Sequence, residues 1–332
     1  MEFGIFYIYC WNNFTYRTRL SLDYVPSKLQ HDAKTNERIF NLERGNSLKK
    51  LKNYYFLVKP GIVRGNLIAA TAGFLFASRG NINLLLLLQM LVGLGFVIAS
   101  GCVANNYVDR EIDSKMQRTK KRALVTGEIS ERSALIVAII LGLIGAVLLI
   151  LINPLTFRVA IAGFLLYVAA YGYWKRKSVY GTLVGSMSGA IPPVVGYVAI
   201  TNSLDVGAIL LFLVLVFWQM PHFYAIGIYR SKDYGEAHIP ILPVVSGNAV
   251  AKRHIYLYSV GFLAATLLLV LFGYTGMVYL LVMAATGGYW VYKAYRGKYA
   301  ADNDAWAKKF FSLSLMVLLI FCVMISIDFL LP

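Results

Sequence analysis

The sequence predicts an all-α membrane protein with about nine transmembrane helices, and three observations support this fold class. Of the 332 residues, 58% are hydrophobic and 14% are charged, and the mean hydropathy is +0.63. Soluble domains carry about 25% charged residues. The charged residues fall between long apolar segments, and the Lys and Arg residues are concentrated in alternate loops. This distribution is typical of polytopic membrane proteins.

Nine apolar segments are long enough, or nearly so, to span about 30 Å of hydrocarbon at about 1.5 Å per residue. In chain order they cover residues 61–78, 83–104, 133–152, 158–174, 181–201, 206–226, 255–273, 276–294 and 309–330. The fifth segment contains Pro192 and Pro193, and we therefore expect a kink in that helix within the bundle.

The loops after the second, fourth, sixth and eighth segments hold most of the basic residues, whereas the opposite side has only Arg79 and Arg158. By the positive-inside rule, the N-terminus and these four loops face the cytoplasm. An odd number of spans then places Pro332 outside. A net charge of +16 would suggest nucleic acid in a soluble protein. Here the cations lie beside apolar segments, so we expect no nucleic-acid partner.

Residues 1–48 differ from the rest of the chain. The opening stretch "MEFGIFYIYCW" is apolar but too short to span, and it lacks the basic region and cleavage site of a signal peptide. Residues 12–50 are polar without a clear period, which favours disorder or loose helix. We therefore expect an N-terminal extension, residues 1–48, that is poorly ordered or lies on the membrane surface, and a membrane domain, residues 49–332.

Two carboxylates and an amide follow the second apolar segment, in "NNYVDREIDSKMQRTKKR" at residues 105–122. Asn105, Asp109 and Asp113 are spaced by four residues, which places them on one face of a helix. Carboxylates this close repel each other unless a cation lies between them. Oxygen ligands favour a hard cation, Mg²⁺, which proteins commonly share with substrate phosphates. The alternative is a solvated helix end whose charges only set topology.

Two further loops bring charged residues to the same side of the membrane. The loop "YWKRKSVYG" contains Lys175 and Arg176, and "QMPHFYAIGIYRSKDYGEAHIPILPVV" contains Lys232 and Asp233. His222 lies at the end of an apolar segment, where it is either a hydrogen-bonded bundle residue or a metal ligand or proton carrier. Together the loops predict a site for a diphosphate and Mg²⁺ that opens onto a hydrophobic cavity. An isoprenyl diphosphate fits this chemistry, and so does a phospholipid head group.

Several longer motifs carry a resemblance to a known family. The quoted stretch at residues 105–122 is similar to the first aspartate-rich motif of the UbiA-type intramembrane prenyltransferases. In addition, "KPGIVRGNL", "KRKSVYGTLVGSMSGAIPPVVGY", "WQMPHFYAIGIYRSKDY" and "IPILPVV" closely resemble the haem O synthase branch of that superfamily. The match runs from about residue 49 to the C-terminus.

This resemblance implies a fold, a reaction and a location. The expected fold is a nine-helix bundle around a central cavity in the bacterial inner membrane, with Mg²⁺ as cofactor. The expected substrates are farnesyl diphosphate and haem b, which would be joined at a haem vinyl group with addition of water to give haem O. Further partners it suggests are the lipid bilayer and a haem-modifying enzyme or terminal oxidase assembly.

The resemblance also implies roles for individual residues. The residues expected to hold Mg²⁺ are Asn105, Asp109, Asp113 and Asp233, of which the first three are also the expected catalytic residues. The residues expected to bind the diphosphate are Arg118, Lys121, Arg122, Lys175, Arg176 and Lys232. Those expected to orient the haem are His222, Asn66 and Tyr180. One departure is notable: the second family motif is usually DxxxD, whereas Ala237 stands four residues after Asp233, which leaves the number of Mg²⁺ ions open.

Two other functions remain open at this point. One is a prenyltransferase of the same superfamily that acts on a quinone precursor or another aromatic acceptor. The other is a membrane transporter with an intramembrane cation site, which would be expected to show an inverted repeat or paired half-helices. The sequence contains only a weak similarity between the loops after the second and sixth segments.

Overall fold

A computed structural model describes residues 48–332, and this part of the chain is α-helical without a β-strand. The expectations for the N-terminal extension lie outside the described residues, except at residue 48. Lys52–Pro332 form one compact unit, to which every contact below belongs.

The helices follow the predicted apolar segments one by one. After α1, which covers residues 48–57, the helices are α2 (Pro60–Ser78), α3 (Leu84–Lys115), α4 (Glu131–Ile150), α5 (Pro154–Lys177), α6 (Gly181–Thr201), α7 (Val206–Tyr229), the short α8 (Ser231–Glu236), α9 (Leu242–Leu271), α10 (Met277–Arg296) and α11 (Asn303–Ile327). The all-α prediction is confirmed. Within residues 48–332, eight helices are long and apolar enough to cross a membrane, and α10 is not among them, so the predicted number of nine is approximate.

Side-chain caps fix where several helices begin. In four cases the capping side chain accepts a hydrogen bond from the backbone N–H three residues further on; these caps are Asn83, Ser130, Asn153 and Asp205. Such caps satisfy N–H groups that have no partner within the helix. They therefore start α3, α4, α5 and α7 at defined positions close to the membrane boundary.

Two helices extend well beyond the predicted apolar segments at the end of the bundle that carries the basic loops. Helix α3 continues past residue 104 to Lys115, and α9 begins at Leu242 rather than near residue 255. Backbone hydrogen bonding does not require apolar side chains, so a helix continues into a polar stretch when neighbouring elements cover it. Gly247, with φ of 81°, interrupts α9 early in this extension.

The long helices close a ring in chain order. Each packs against its neighbours in sequence from α3 to α7, then α7 against α9, α9 against α10 and α10 against α11. The last helix, α11, packs against both α2 and α7, and α2 packs against α3, which completes the ring. A cavity lies inside it.

The predicted proline kink in α6 lies next to a close crossing of α6 and α2. The helix is divided at Ala190, and Pro192 and Pro193 occupy the first turn of its second half, where a missing N–H costs no hydrogen bond. A Cβ added to Gly73 of α2 would be 2.0 Å from the carbonyl oxygen of Pro193. Small residues allow the two backbones to meet, as is common between transmembrane helices.

This crossing leads to a first prediction. A Cβ at Gly196 would be 2.0 Å from the carbonyl oxygen of Ala70, so Gly196→Ala must separate the helices. We expect it to lower the free energy of unfolding by about 1–3 kcal/mol. The measurement is the thermal-unfolding midpoint of the purified protein in one detergent. Gly288→Ala in α10 is the control, because no atom lies within 4 Å of the added Cβ and Ala favours helix. An equal decrease in both variants would contradict the prediction.

Candidate active site

A cavity of about 560 Å³ lies within the ring and is polar at one end. The polar end is formed by α3 and α5, together with the segment between α3 and α4. The remaining wall is largely apolar and includes Leu94, Val97, Leu215 and Leu318. Several glycines of α2, α3, α6 and α7 also line it. Since glycine has no side chain, these positions leave space for a molecule between the helices.

The continuation of α3 beyond the apolar segment carries the predicted acidic face. Asn105, Asp109 and Asp113 all line the cavity, and their exposed fractions are only 3%, 8% and 5%. They lie one helical turn apart, as the spacing of four predicts. A buried carboxylate is costly unless it is paired or hydrogen-bonded. The surroundings of each acid therefore determine what the site can do.

Each carboxylate is paired with a cation from another part of the chain. Lys175 Nζ, near the end of α5, donates to Asp109 Oδ2, and Arg176 Nη2 lies 3.6 Å from Asp109 Oδ1. Arg122 donates to Asp113 Oδ2 and, over 3.2 Å, to Asn106 Oδ1. The predicted basic loops thus meet the predicted acidic helix.

Lys59 also reaches this cluster, although the sequence analysis did not select it. It stands between α1 and α2 in the left-handed region, with φ of 52° and ψ of 64°. Its Nζ donates to Asn105 Oδ1 over 2.9 Å, and the hydroxyl of Tyr167 donates to the same oxygen over 3.3 Å. Burial, and next the nearby Arg122 guanidinium, lower the pKa of Lys59 to about 8. In the sequence, Lys59 stands out only as a lysine directly before Pro60, at the start of the first apolar segment.

The donor set on α3 is suited to a hard divalent cation. Within residues 48–332, no group of three or more His, Cys, Asp or Glu side chains is arranged to hold a metal. The cluster offers two carboxylates and an amide instead. Asp109 Oδ1 is buried and accepts no hydrogen bond from the described residues, so it is available to a cation. Because Mg²⁺ binds through one or two carboxylates plus substrate phosphates, these few protein ligands fit it.

Of the other residues expected at the diphosphate, some line the cavity and some lie outside its wall. Arg118 lines the cavity, whereas Lys121 is exposed and lies outside its wall. Lys232 and Asp233 are in α8, also outside the wall, and Asp233 lies 3.7 Å from Arg230. Their neighbour Tyr234 does line the cavity. The structure thus brings the first acidic motif and two of the basic loops together, and Asp233 lies outside the wall, next in sequence to a residue that lines it.

Of the residues expected to orient the haem, two line the cavity. These are Asn66, whose amide donates to the carbonyl of Ile62 over 2.8 Å, and His222. Tyr180 is 66% exposed and lies outside the wall.

His222 lies in an aromatic pocket formed by α7 and α11. Its ring stacks on Trp218 at a centroid distance of 4.8 Å and lies 4.7 Å from Phe311. Its Nδ1 is 2.7 Å from the hydroxyl oxygen of Ser314. One turn earlier on α7, Gln219 is 5% exposed and lines the cavity. Gln219 and Ser314 were not found by sequence reasoning.

Two tyrosines of α5 were also missed. Leu166–Tyr171 form a π-helical turn, an arrangement that is frequent at functional sites. It places Tyr167 and Tyr171 in the cavity wall with their rings parallel within 9° and 5.9 Å apart. Lys175 Nζ lies 5.0 Å from the centre of the Tyr171 ring. The spacing of four between the tyrosines was visible in the sequence, but it is also typical of ordinary packing.

Comparison with known proteins gives consistent matches. Residues 66–318 match the model of the UbiA prenyltransferase family. The chain is 52% identical over 285 residues to the protoheme IX farnesyltransferase of Cronobacter sakazakii, covering 85% of this chain and 96% of that protein. It is 50% identical over 284 residues to protoheme IX farnesyltransferase 2 of Pseudomonas fluorescens, with the same coverage.

Solved structures share the fold at low sequence identity. A structure described as a digeranylgeranylglyceryl phosphate synthase in membranes has a TM-score of 0.71 and 20% identity, covering 85% of this chain and 99% of that one. A UbiA homologue from Archaeoglobus fulgidus bound to GPP and Mg²⁺ has a TM-score of 0.61 and 16% identity, covering 82% and 99%. At such identities the likeness concerns the fold alone.

The buried ion pair on α3 leads to a second prediction. Asp109→Asn leaves Lys175 buried without its partner, and Lys175→Met leaves Asp109 without its closest cation. We expect each single variant to lower the free energy of unfolding by about 3–5 kcal/mol. The double variant should lose less than the sum, with a coupling energy above about 1 kcal/mol. The measurement is thermal unfolding, in one detergent, of the wild type, the two single variants and the double variant.

The control for this cycle is the pair Arg110–Glu131, whose side chains are 32% and 51% exposed and 2.8 Å apart. Exposed pairs are worth about 0–1 kcal/mol. Equal coupling energies for the two pairs would contradict the prediction, because burial would then make no difference.

Proposed function

This chain belongs to the UbiA prenyltransferase family, and on that premise we propose that it is a haem O synthase, a protohaem IX farnesyltransferase. It would join the farnesyl group of farnesyl diphosphate to a vinyl group of haem b. The observation that carries the proposal is the buried, cation-paired face of α3 at the polar end of a cavity of about 560 Å³. The acceptor is inferred from relatives of about 50% identity that carry this name.

The diphosphate would lie at the polar end of the cavity. We propose that Asn105, Asp109 and Asp113 hold Mg²⁺ and that Asp233 of α8 is a further ligand. When bound, Mg²⁺ supplies positive charge that stabilises the departing diphosphate. The cations proposed to contact phosphate oxygens are Arg118, Lys121, Arg122, Lys175, Arg176 and Lys232, to which the structure adds Lys59. Preorganised charge of this kind stabilises a leaving group without reorganisation of solvent.

Cleavage of the bond between farnesyl C1 and the diphosphate oxygen leaves an allylic cation, and the bonding electrons go to the diphosphate. The largely apolar wall excludes water at this stage, which prevents hydrolysis. Tyr167 and Tyr171 lie in the wall beside Asp109 and Lys175, and their rings offer π faces to a cation. The cavity thus provides the conditions for ionisation without a side-chain nucleophile.

The acceptor step forms a bond between farnesyl C1 and the terminal carbon of a haem vinyl group. The positive charge moves to the carbon next to the pyrrole ring, and a water molecule adds there and loses a proton. Haem b, farnesyl diphosphate and water thereby give haem O, diphosphate and a proton. Asn66 and His222 line the cavity and are proposed to orient the haem. Tyr180 lies outside the cavity wall, so it would contact the haem only from the surface of the protein.

The protein is a multi-pass membrane protein, and we propose that it resides in the bacterial cytoplasmic membrane. The loops rich in Lys and Arg and the polar end of the cavity lie at the same end of the bundle, so the site would open to the cytoplasm. The catalytic unit would comprise residues 49–332. A haem-modifying enzyme or a terminal oxidase assembly remains the expected recipient of the product.

A third prediction tests the reaction itself. Purified protein supplied with haem b, farnesyl diphosphate and Mg²⁺ should form a product heavier than haem b by one farnesyl group and one hydroxyl group, detected by mass spectrometry. Asp109→Asn should reduce turnover by at least about a hundredfold, because it removes a carboxylate ligand of the proposed Mg²⁺ and with it the positive charge that stabilises the leaving diphosphate. Glu111→Gln, an exposed position of the same helix, should leave turnover unchanged. Product formed only with an aromatic acid acceptor would instead favour a quinone-precursor prenyltransferase.

A fourth prediction addresses the second acidic loop. If Asp233 contributes to Mg²⁺ binding, Asp233→Asn should raise the Mg²⁺ concentration that gives half-maximal turnover by about tenfold, since one carboxylate ligand is lost. Glu236→Gln changes an exposed carboxylate of the same short helix and serves as the control. An unchanged Mg²⁺ dependence in Asp233→Asn would remove this residue from the metal site.

A further inference from the structure

The hydroxyl of Ser314 on α11 lies between two hydrogen-bonding partners in the interior of the bundle. It is 2.6 Å from the carbonyl oxygen of Phe311 on its own helix and 2.7 Å from Nδ1 of His222 on α7. Ser314 is fully buried. Both contacts are therefore shielded from water that would compete for them.

These two contacts determine where the imidazole carries its proton. A carbonyl oxygen only accepts hydrogen bonds, so the single hydroxyl proton of Ser314 is donated to Phe311. The hydroxyl oxygen can then only accept a hydrogen bond from His222. A neutral imidazole has one N–H, and it must be on Nδ1 to make this bond. Nε2 is left with a free lone pair.

The position of the ring is fixed from three sides. Trp218 stacks on one face, with an angle of 26° between the ring planes, and Phe311 lies against it at 34°. Trp218 is itself held, because its Nε1 donates over 2.7 Å to the backbone carbonyl of Ser314. With Nδ1 engaged by Ser314 and the residue in the cavity wall, Nε2 is the nitrogen available to a molecule in the cavity.

We propose that Ser314 is a positioning residue that holds His222 in the Nδ1–H form, so that Nε2 binds the iron of the haem substrate. This inference rests on the proposed function, because haem is the acceptor there. Histidine ligands of metals usually donate their other N–H to an oxygen, which fixes tautomer and orientation. The contact between Ser314 and His222 has this arrangement before haem is bound.

The reaction chemistry gives a second reason for the lone pair to be occupied by iron. A free imidazole lone pair in the wall would be a nucleophile facing a cavity in which a farnesyl cation forms. It would compete with the vinyl group for that cation and become alkylated. Binding to iron removes this side reaction and at the same time holds the porphyrin in place.

The test uses the full-length protein in detergent with haem b alone, so that its readouts do not depend on turnover. The measurements are the haem absorption spectrum and the haem dissociation constant. We expect Ser314→Ala to weaken haem binding by about tenfold to a hundredfold and to shift the Soret band. The band should shift in His222→Ala too. Ser259→Ala is the control, because Ser259 is also fully buried and its hydroxyl donates only within its own helix, to Ile255; it should match the wild type.

The outcomes separate this inference from the proposed function. If His222→Ala shifts the spectrum and Ser314→Ala does not, the positioning role is overturned while haem ligation stands. If neither variant changes spectrum or affinity, both the ligand and its positioning residue are overturned. A wild type that does not bind haem b at all would overturn the proposed function itself. Should Ser314→Ala fail to fold, the near-isosteric Ser314→Cys, whose thiol sulfur is a weak acceptor, must weaken haem binding in the same direction or the inference fails.

Discussion

The interaction on which the site depends is the compensation of two carboxylates buried on one helix. Asp109 and Asp113 lie in the wall of a cavity inside a membrane-spanning bundle, where an unpaired charge is very unfavourable. Their cations come from the end of α5 and from the segment between α3 and α4. Correct pairing therefore requires that these segments converge. Charge pairing at the site thus also constrains how the helices are arranged at this end of the bundle.

The geometry of the helices explains why the cavity is open rather than filled. Where α2 crosses α6, glycines allow the backbones to touch, and this tight contact joins two helices that are not neighbours in the ring. Elsewhere glycines face inward and leave space. Small residues at the crossings and in the wall let the helices pack closely while the ring encloses a cavity of about 560 Å³.

The polar part and the aromatic part of the wall suit different steps of the proposed reaction. Acids and bases are concentrated at the end near the basic loops, where a leaving group with negative charge would be stabilised. His222, Trp218 and Phe311 form a separate aromatic region from α7 and α11. The wall between the two regions is largely apolar, which suits the proposed reaction through an allylic cation. Gln219 precedes His222 by three residues on α7 and also lines the cavity.

Much of the architecture follows from the sequence because hydropathy and helical periodicity are local properties. They predicted the helices, the end of the bundle that carries the site, the acidic face of α3 and the basic loops that pair with it. The caps Asn83, Ser130 and Asn153 could likewise be recognised beside the segments that they start. The polar extension of α9 back to Leu242 was missed, since apolarity marks the membrane and not the end of a helix.

Only the tertiary structure decided which side chains meet across long distances in the chain. Ser314 is 92 positions from His222, and Lys59 is 46 positions from Asn105. No local pattern distinguishes such residues from an ordinary packed serine or a boundary lysine, because their partners are set by how the ring of helices closes. For the same reason the sequence could not show that Asp233 and Tyr180 lie outside the wall of the cavity. The sequence by itself determined the chemistry available to this protein, and the closure of the bundle decided which groups share one cavity.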